Sequence, residues 1–120
     1  MDCGTDSEES MDYPDTIFAA AQKLSTAACG RAIGICYTGI GSAITANKVR
    51  GVRAALVRGG EEARLSRAHN DANMLIVGAG FLDLKKIFSI LEIWLATPFE
   101  GGRHERRVDK IKAYEQKHFH

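Results

Sequence analysis

Cysteine, export signals and long apolar runs are all scarce in this chain. Its three cysteines, Cys3, Cys29 and Cys36, make an odd count with no Cys-x-x-Cys spacing. That pattern argues against a disulfide scaffold and against a zinc ribbon, and reduced thiols point to an intracellular protein. The opening MDCGTDSEES is acidic where a signal peptide is basic and then apolar, so export is not expected. The longest apolar stretch, from Ile87 to Ala96, is interrupted by Ser89 and Glu92. It falls short of the about 20 apolar residues that span a bilayer. A net charge of +1 gives no general attraction to nucleic acid or to an anionic membrane. The expectation is a soluble, cytoplasmic protein without repeats or low-complexity segments.

What is present describes a folded domain. With 45% hydrophobic and 26% charged residues in 120, the chain is neither disordered nor a coiled coil, and residues 1–120 fit one domain. Charge is unevenly spread. Asp2, Asp6, Glu8, Glu9, Asp12 and Asp15 crowd the start, whereas Arg103, Arg106, Arg107, Lys110, Lys112 and Lys117 crowd the end. Each group reads most simply as a solvated face or a helix-dipole preference.

Tyr13-Pro14-Asp15 marks a helix start, because a proline in the first turn forfeits no hydrogen bond. The helix continues through Ile17, Ala21 and Leu24 toward Gly30. RAIGIC, Arg31 to Cys36, reads as a buried strand followed by the turn Tyr37-Thr38-Gly39-Ile40-Gly41. A short helix from Ser42 to Lys48 follows. The pattern then repeats, with strand Val52–Val57, helix Glu61–His69 with Leu65 inward, and strand Met74–Val77. A helix over Asp83–Ala96 has only Lys85, Ser89 and Glu92 as a polar stripe. It is therefore expected to be buried against the sheet and against a partner subunit. A last helix runs from His104 to Gln116. Strands alternating with helices predict an α/β fold: a three-layer α/β/α sandwich around a parallel sheet, Rossmann-like.

Ligands of such sheets bind beyond the strands' carboxyl ends, which selects Cys36–Ser42, Arg58–Gly60, Gly78–Gly80 and whatever the loops around His69 and Arg103 bring near. In ICYTGIGS, Gly39 and Gly41 let backbone N–H groups converge on one point beside Cys36. Such a nest suits a phosphate or a developing oxyanion, next to a thiol usable as base or nucleophile. The plain alternative is a buried core cysteine. A dinucleotide site is a weaker fit, since Ile44 stands where the fingerprint needs a third glycine or alanine. In Ser66–Asn73, His69 can act as acid or base and Asn70 can hold a hydroxyl; a self-capped helix end is the competing reading. Arg103 and Arg107 lie one turn apart on a shared face, which suits a phosphate dianion, unless Glu105 and Asp109 simply pair with them. A base, an anion nest, a histidine and a two-arginine clamp fit proton transfer on a phosphorylated sugar. No metal-ligand spacing occurs, so neither a metal nor another cofactor is expected.

DYPD, CYTGIGSAITANKVRGVRAAL, LSRAHNDAN and FEGGRHERRVDKI together resemble the type B ribose-5-phosphate isomerases, whose relatives act on allose and galactose 6-phosphates. The resemblance runs from Asp2 to about Lys112. It implies an aldose–ketose isomerase that interconverts ribose 5-phosphate and ribulose 5-phosphate in the pentose phosphate pathway. It also implies homodimers, or tetramers, with sites at subunit interfaces. On this resemblance Cys36 is the base moving a proton between C1 and C2 through an enediolate. Thr38, Gly39 and Gly41 hold the enediolate oxygen, with Tyr37 beside them. His69 and Asn70 open the sugar ring and bind its hydroxyls, and Arg103 and Arg107 take the phosphate.

Three departures from the family pattern stand out. Tyr37 replaces a glycine and brings a phenol to the turn. Arg58-Gly59-Gly60 replaces a His-Asp-like pair. The chain also opens at what the resemblance implies is the end of the family's second strand. The opening strand, its Asp-His-Ala-Gly loop and the following helix then have no counterpart, a truncated form of the fold. Asp6, Ser7 and Glu8 are candidates for lining the site's entrance. The alternative function on the same residues is a non-catalytic or truncated phosphosugar-binding homologue.

Overall fold

The computed structural model describes residues 1–4 and 12–119. Asp6, Ser7 and Glu8 lie outside the described residues. The elements follow in the order α1 (Tyr13–Ser25), β1 (Ala32–Cys36), α2 (Ile40–Ala46), β2 (Ala54–Leu56), α3 (Gly60–Ala68), β3 (Met74–Gly78), a 3-10 turn (Ala79–Phe81), α4 (Leu84–Ala96) and α5 (Arg103–His118). Pro14 sits in the first turn of α1, as the sequence requires. The helix stops at Ser25, short of Gly30. Ala27 takes a left-handed φ of 59°, and the Ala28 N–H turns back to the Lys23 carbonyl at 2.8 Å.

The three strands are parallel in the order β1-β3-β2, with Ala32 opposite Met74 and Cys36 opposite Gly78. Central β3, MLIVG, is buried along its whole length, which explains why its apolar run shows no alternation. Its side chains divide the core in two. Met74 and Ile76 pack with Ile17, Ala21 and Leu24 of α1, with Ala46 of α2 and with Val52. Leu75 and Val77 pack on the other face with Ala63 of α3 and with Ile87, Ile90 and Trp94 of α4. The expected three-layer α/β/α sandwich is therefore the observed one.

Two details depart from the expectations. On α3 the one long side chain among the buried residues is that of Arg67, 6% exposed, while Leu65 is only half-buried. Arg67 lies near the Trp94 ring and donates to Asp71 Oδ1 (3.0 Å), the Ala72 carbonyl (2.7 Å) and the Thr97 carbonyl (3.2 Å). A periodicity of apolar residues has no means of placing a buried cation held by backbone oxygens.

The sheet is also not covered evenly on both faces. Ile33 and Ile35 of edge strand β1 are 40% and 54% exposed, because α3 and α4 pack over β3 and β2 instead. The opposite edge is treated differently. The Asn47 side chain donates to the Ala54 carbonyl and accepts from the Ala54 N–H, at 3.0 and 2.9 Å, in place of a neighbouring strand.

Helix α4 buries one side against the sheet, as expected. Ile87, Ile90 and Trp94 face the sheet, whereas Leu84, Phe88 and Leu95 are exposed.

Candidate active site

The topology selects one crevice. After β1 the chain enters α2 on one face of the sheet; after β3 it enters α4 on the other. Neighbouring strands whose connections leave on opposite faces open a crevice at their carboxyl ends, where ligands of parallel sheets bind. Cys36 and Gly78, register partners, stand on its two sides.

Around Cys36 lies a cleft of 580 Å³ lined by Tyr13, Cys36, Tyr37, Thr38, Gly39 and Ser42, among others. Its floor is backbone brought unusually close. Gly39 has φ +80°, and a Cβ there would come within 2.6 Å of Leu56 Cδ1. A Cβ on Gly78 would overlap the Thr38 carbonyl, and one on Gly41 would overlap the Tyr13 ring. The glycines thus allow the turn to lie directly on the strand ends. The Thr38 hydroxyl accepts from the Ile40 N–H at 3.2 Å and fixes the turn. Cys36 Sγ is 2.7 Å from Ser42 Oγ.

The phenol of Tyr37 does not fill the glycine turn. It leans over Gly80, where a Cβ would come within 2.6 Å of the ring, and its centroid is 5.8 Å from that of Phe81. Its carbonyl accepts from the Gly80 N–H at 2.9 Å. Tyr37 therefore forms one wall of the cleft and ties β1 to the segment after β3.

The remaining site residues lie elsewhere. Helix α3 runs back from the carboxyl end of β2 to the amino end of β3, so His69, at its C-terminus, sits at the end of the sheet opposite Cys36. The expectation that the His69 and Arg103 loops approach the carboxyl ends of the strands is therefore corrected. The reversal of chain direction within each strand–helix unit separates them from Cys36 by the length of a strand.

At that far end His69 stacks on His104, with centroids 3.9 Å apart and planes 10° off parallel. Glu100 Oε1 is 3.7 Å from His69 Nε2 and 3.8 Å from His104 Nε2. The Glu100 N–H donates to the Ala68 carbonyl at 3.0 Å, which moors this loop to α3. Burial holds the His104 imidazole below its ordinary value. His69, Arg103 and Arg107 add to this, and Glu100 opposes it. Arg103 and Arg107, on the first two turns of α5, are exposed and carry no ion pair among the described residues; Glu105 and Asp109 do not engage them.

Asn70 is exposed, whereas its neighbours serve the fold. Asp71 binds Arg67 and Arg53, and the Asn73 amide bridges the Arg53 N–H and the Gly51 carbonyl. His69, Glu100 and His104 also place three potential metal-binding atoms within 4.8 Å of one another. No local signal in the sequence announces Glu100 or His104 as partners of His69, which they follow by 31 and 35 residues.

Taken alone, the fold and crevice define a Rossmann-like α/β protein with a thiol and a glycine turn at its switch point. Comparison narrows the class. The Ribose/Galactose Isomerase family model matches residues 1–111, and the chain belongs to this family. It is 40% identical over 117 residues to ribose-5-phosphate isomerase B of Escherichia coli, covering 98% of this chain and 78% of that protein. Its structure superposes on ribose-5-phosphate isomerase B of Clostridium thermocellum with a TM-score of 0.91 at 46% identity, covering 95% of this chain and 77% of that one. The Mycoplasma genitalium ribose-5-phosphate isomerase B, solved with bound ribulose-5-phosphate, gives a TM-score of 0.91 at 40% identity, covering 95% and 76%. Among the described residues no helix is long and apolar enough to cross a membrane.

Proposed function

We propose that this protein interconverts ribose 5-phosphate and ribulose 5-phosphate by proton transfer through an enediolate, at sites built by two copies of the chain. The observation that carries this reading is Cys36, seated over the Gly39–Gly41 turn at the switch point. As a thiolate, Cys36 removes the proton on C2 of the open-chain aldose. The bonding pair becomes the C1–C2 double bond, and charge moves to O1, beside the backbone of Thr38, Gly39 and Gly41. Return of the proton to C1, with transfer of the O2 hydroxyl proton to O1, yields the ketose. Tyr37 walls the site on the side of Gly80.

The other functions need groups from the far end of the sheet. His69 assists ring opening by proton exchange with the ring oxygen and the O1 hydroxyl, and Asn70 binds sugar hydroxyls. Arg103 and Arg107 clasp the phosphate dianion in the two-pronged way that guanidinium groups favour. Neither cluster contains the full set, so a second copy, related by two-fold symmetry, brings its His69–Arg107 end to the Cys36 cleft. The exposed Leu84, Phe88 and Leu95 on α4 support such a homodimer. The chemistry needs no metal or other cofactor. The free thiols of Cys3, Cys29 and Cys36 fit the reducing cytoplasm.

The test is incubation with ribose 5-phosphate while ribulose 5-phosphate is measured. The reading requires turnover that is lost in Cys36→Ala. A folded protein that binds the sugar phosphate without converting it would instead be a phosphosugar-binding homologue.

A further inference from the structure

Among the described residues, Ser42 is the one buried hydroxyl beside the reacting thiol, and it is used unusually. A serine inside a helix commonly returns its hydroxyl to a carbonyl one turn back. Ser66 does so here, donating to the Ala63 carbonyl at 2.9 Å. Ser42, in the first turn of α2 and only 2% exposed, instead meets Cys36 Sγ at 2.7 Å, its only side-chain partner among the described residues. A buried hydroxyl left without a partner is unfavourable, so this contact fixes both the serine rotamer and the place of the sulfur.

Proton bookkeeping sets the direction of the bond. A thiolate has no proton to give, so in the state ready to accept the C2 proton the Ser42 O–H is the donor. Once Cys36 carries the substrate's proton, the sulfur can donate to the same oxygen, and the contact survives the exchange without any group moving. The stronger of the two bonds is the one to the charged sulfur.

We propose that Ser42 is a positioning residue for Cys36: its hydroxyl hydrogen-bonds the thiolate and aims it into the cleft, favouring the reactive form. This inference rests on the reading of Cys36 as the proton-transfer base. The glycine turn makes the arrangement possible. Gly39, at φ +80°, starts α2 directly after the turn and so returns residue 42 to the end of β1.

The test separates the thiol from the turnover. In a Cys3→Ser, Cys29→Ser background Cys36 is the single thiol, and its alkylation by iodoacetamide is followed against pH. Ser42→Ala should slow alkylation near pH 7 by about three- to tenfold, the worth of one hydrogen bond. Its rate should converge with the parent's near pH 10, where the thiolate forms regardless. Ser42→Thr, which keeps the hydroxyl, should restore the neutral-pH rate, and circular dichroism should show all three variants folded. With ribose 5-phosphate as substrate, Ser42→Ala should lower kcat by a similar factor and leave KM nearly unchanged. Alkylation of Ser42→Ala at the parent's rate across the whole pH range would overturn the inference. A parent protein that converts no ribose 5-phosphate would overturn the functional reading instead, and the alkylation profile would still decide the role of Ser42.

Discussion

His69 and His104 stack face to face, with ring centroids 3.9 Å apart, and both direct Nε2 toward Glu100. The pair joins the end of α3 to the start of α5 and sets the electrostatics of the basic end. His104 is buried beside Arg103, Arg107 and His69, so its charged form is disfavoured even with Glu100 nearby.

This has a consequence for stability against pH. The folded-state value of His104 lies below its ordinary 6.5, so the unfolded chain binds the proton first as pH falls. The stabilising effect is present above the ordinary value and is lost as pH drops through the lowered folded value. Urea unfolding between about pH 7 and pH 5 should show stability falling more steeply in the parent than in His104→Gln. Equal slopes in the two proteins would contradict the assignment.

Gly78 faces Cys36 across the crevice, and its missing side chain is where the Thr38 carbonyl rests. Backbone cannot yield as a flexible side chain can. Gly78→Ala should therefore push the Thr38–Gly41 turn away from the strand ends and lower kcat on the order of 100-fold, the usual cost of misplacing a catalytic group by about an ångström. Steady-state kinetics with ribose 5-phosphate measure it, and a kcat within a few-fold of the parent would show that the turn tolerates the shift.

How much of this was legible in the sequence depended on whether the relevant neighbours were close along the chain. The Cys36–Gly41 turn was readable because strand, glycines and helix follow one another directly, and β3 because five apolar residues in a row have no polar face. The two ends of the site were not readable as separate. His69 and Arg103 take their places from the direction in which α3 and α5 run, which only the β1-β3-β2 topology fixes. The same holds for α3, where the stripe pointed to Leu65 while Arg67 took the interior by satisfying carbonyl oxygens from two other segments.

Arg67 supplies a direct check on that interior. Removing it leaves Asp71 and the carbonyls of Ala72 and Thr97 without their shared donor. Arg67→Ala should cost about 3 kcal/mol in chemical denaturation, the scale of breaking a buried ion pair from one side. A loss within the range of an ordinary surface substitution, about 0.5 kcal/mol, would show that the guanidinium only fills space.

The central claim is that one copy supplies the Cys36 cleft and the other the His69–Arg107 end. It is tested most directly by mixing two inactive variants, Cys36→Ala and Arg107→Ala, after unfolding and refolding them together in equal amounts. Each mixed dimer then holds one site with every group intact and one site lacking both. With random pairing, about a quarter of the parent's ribose 5-phosphate turnover should return. Mixed dimers that form and remain inactive would contradict the claim.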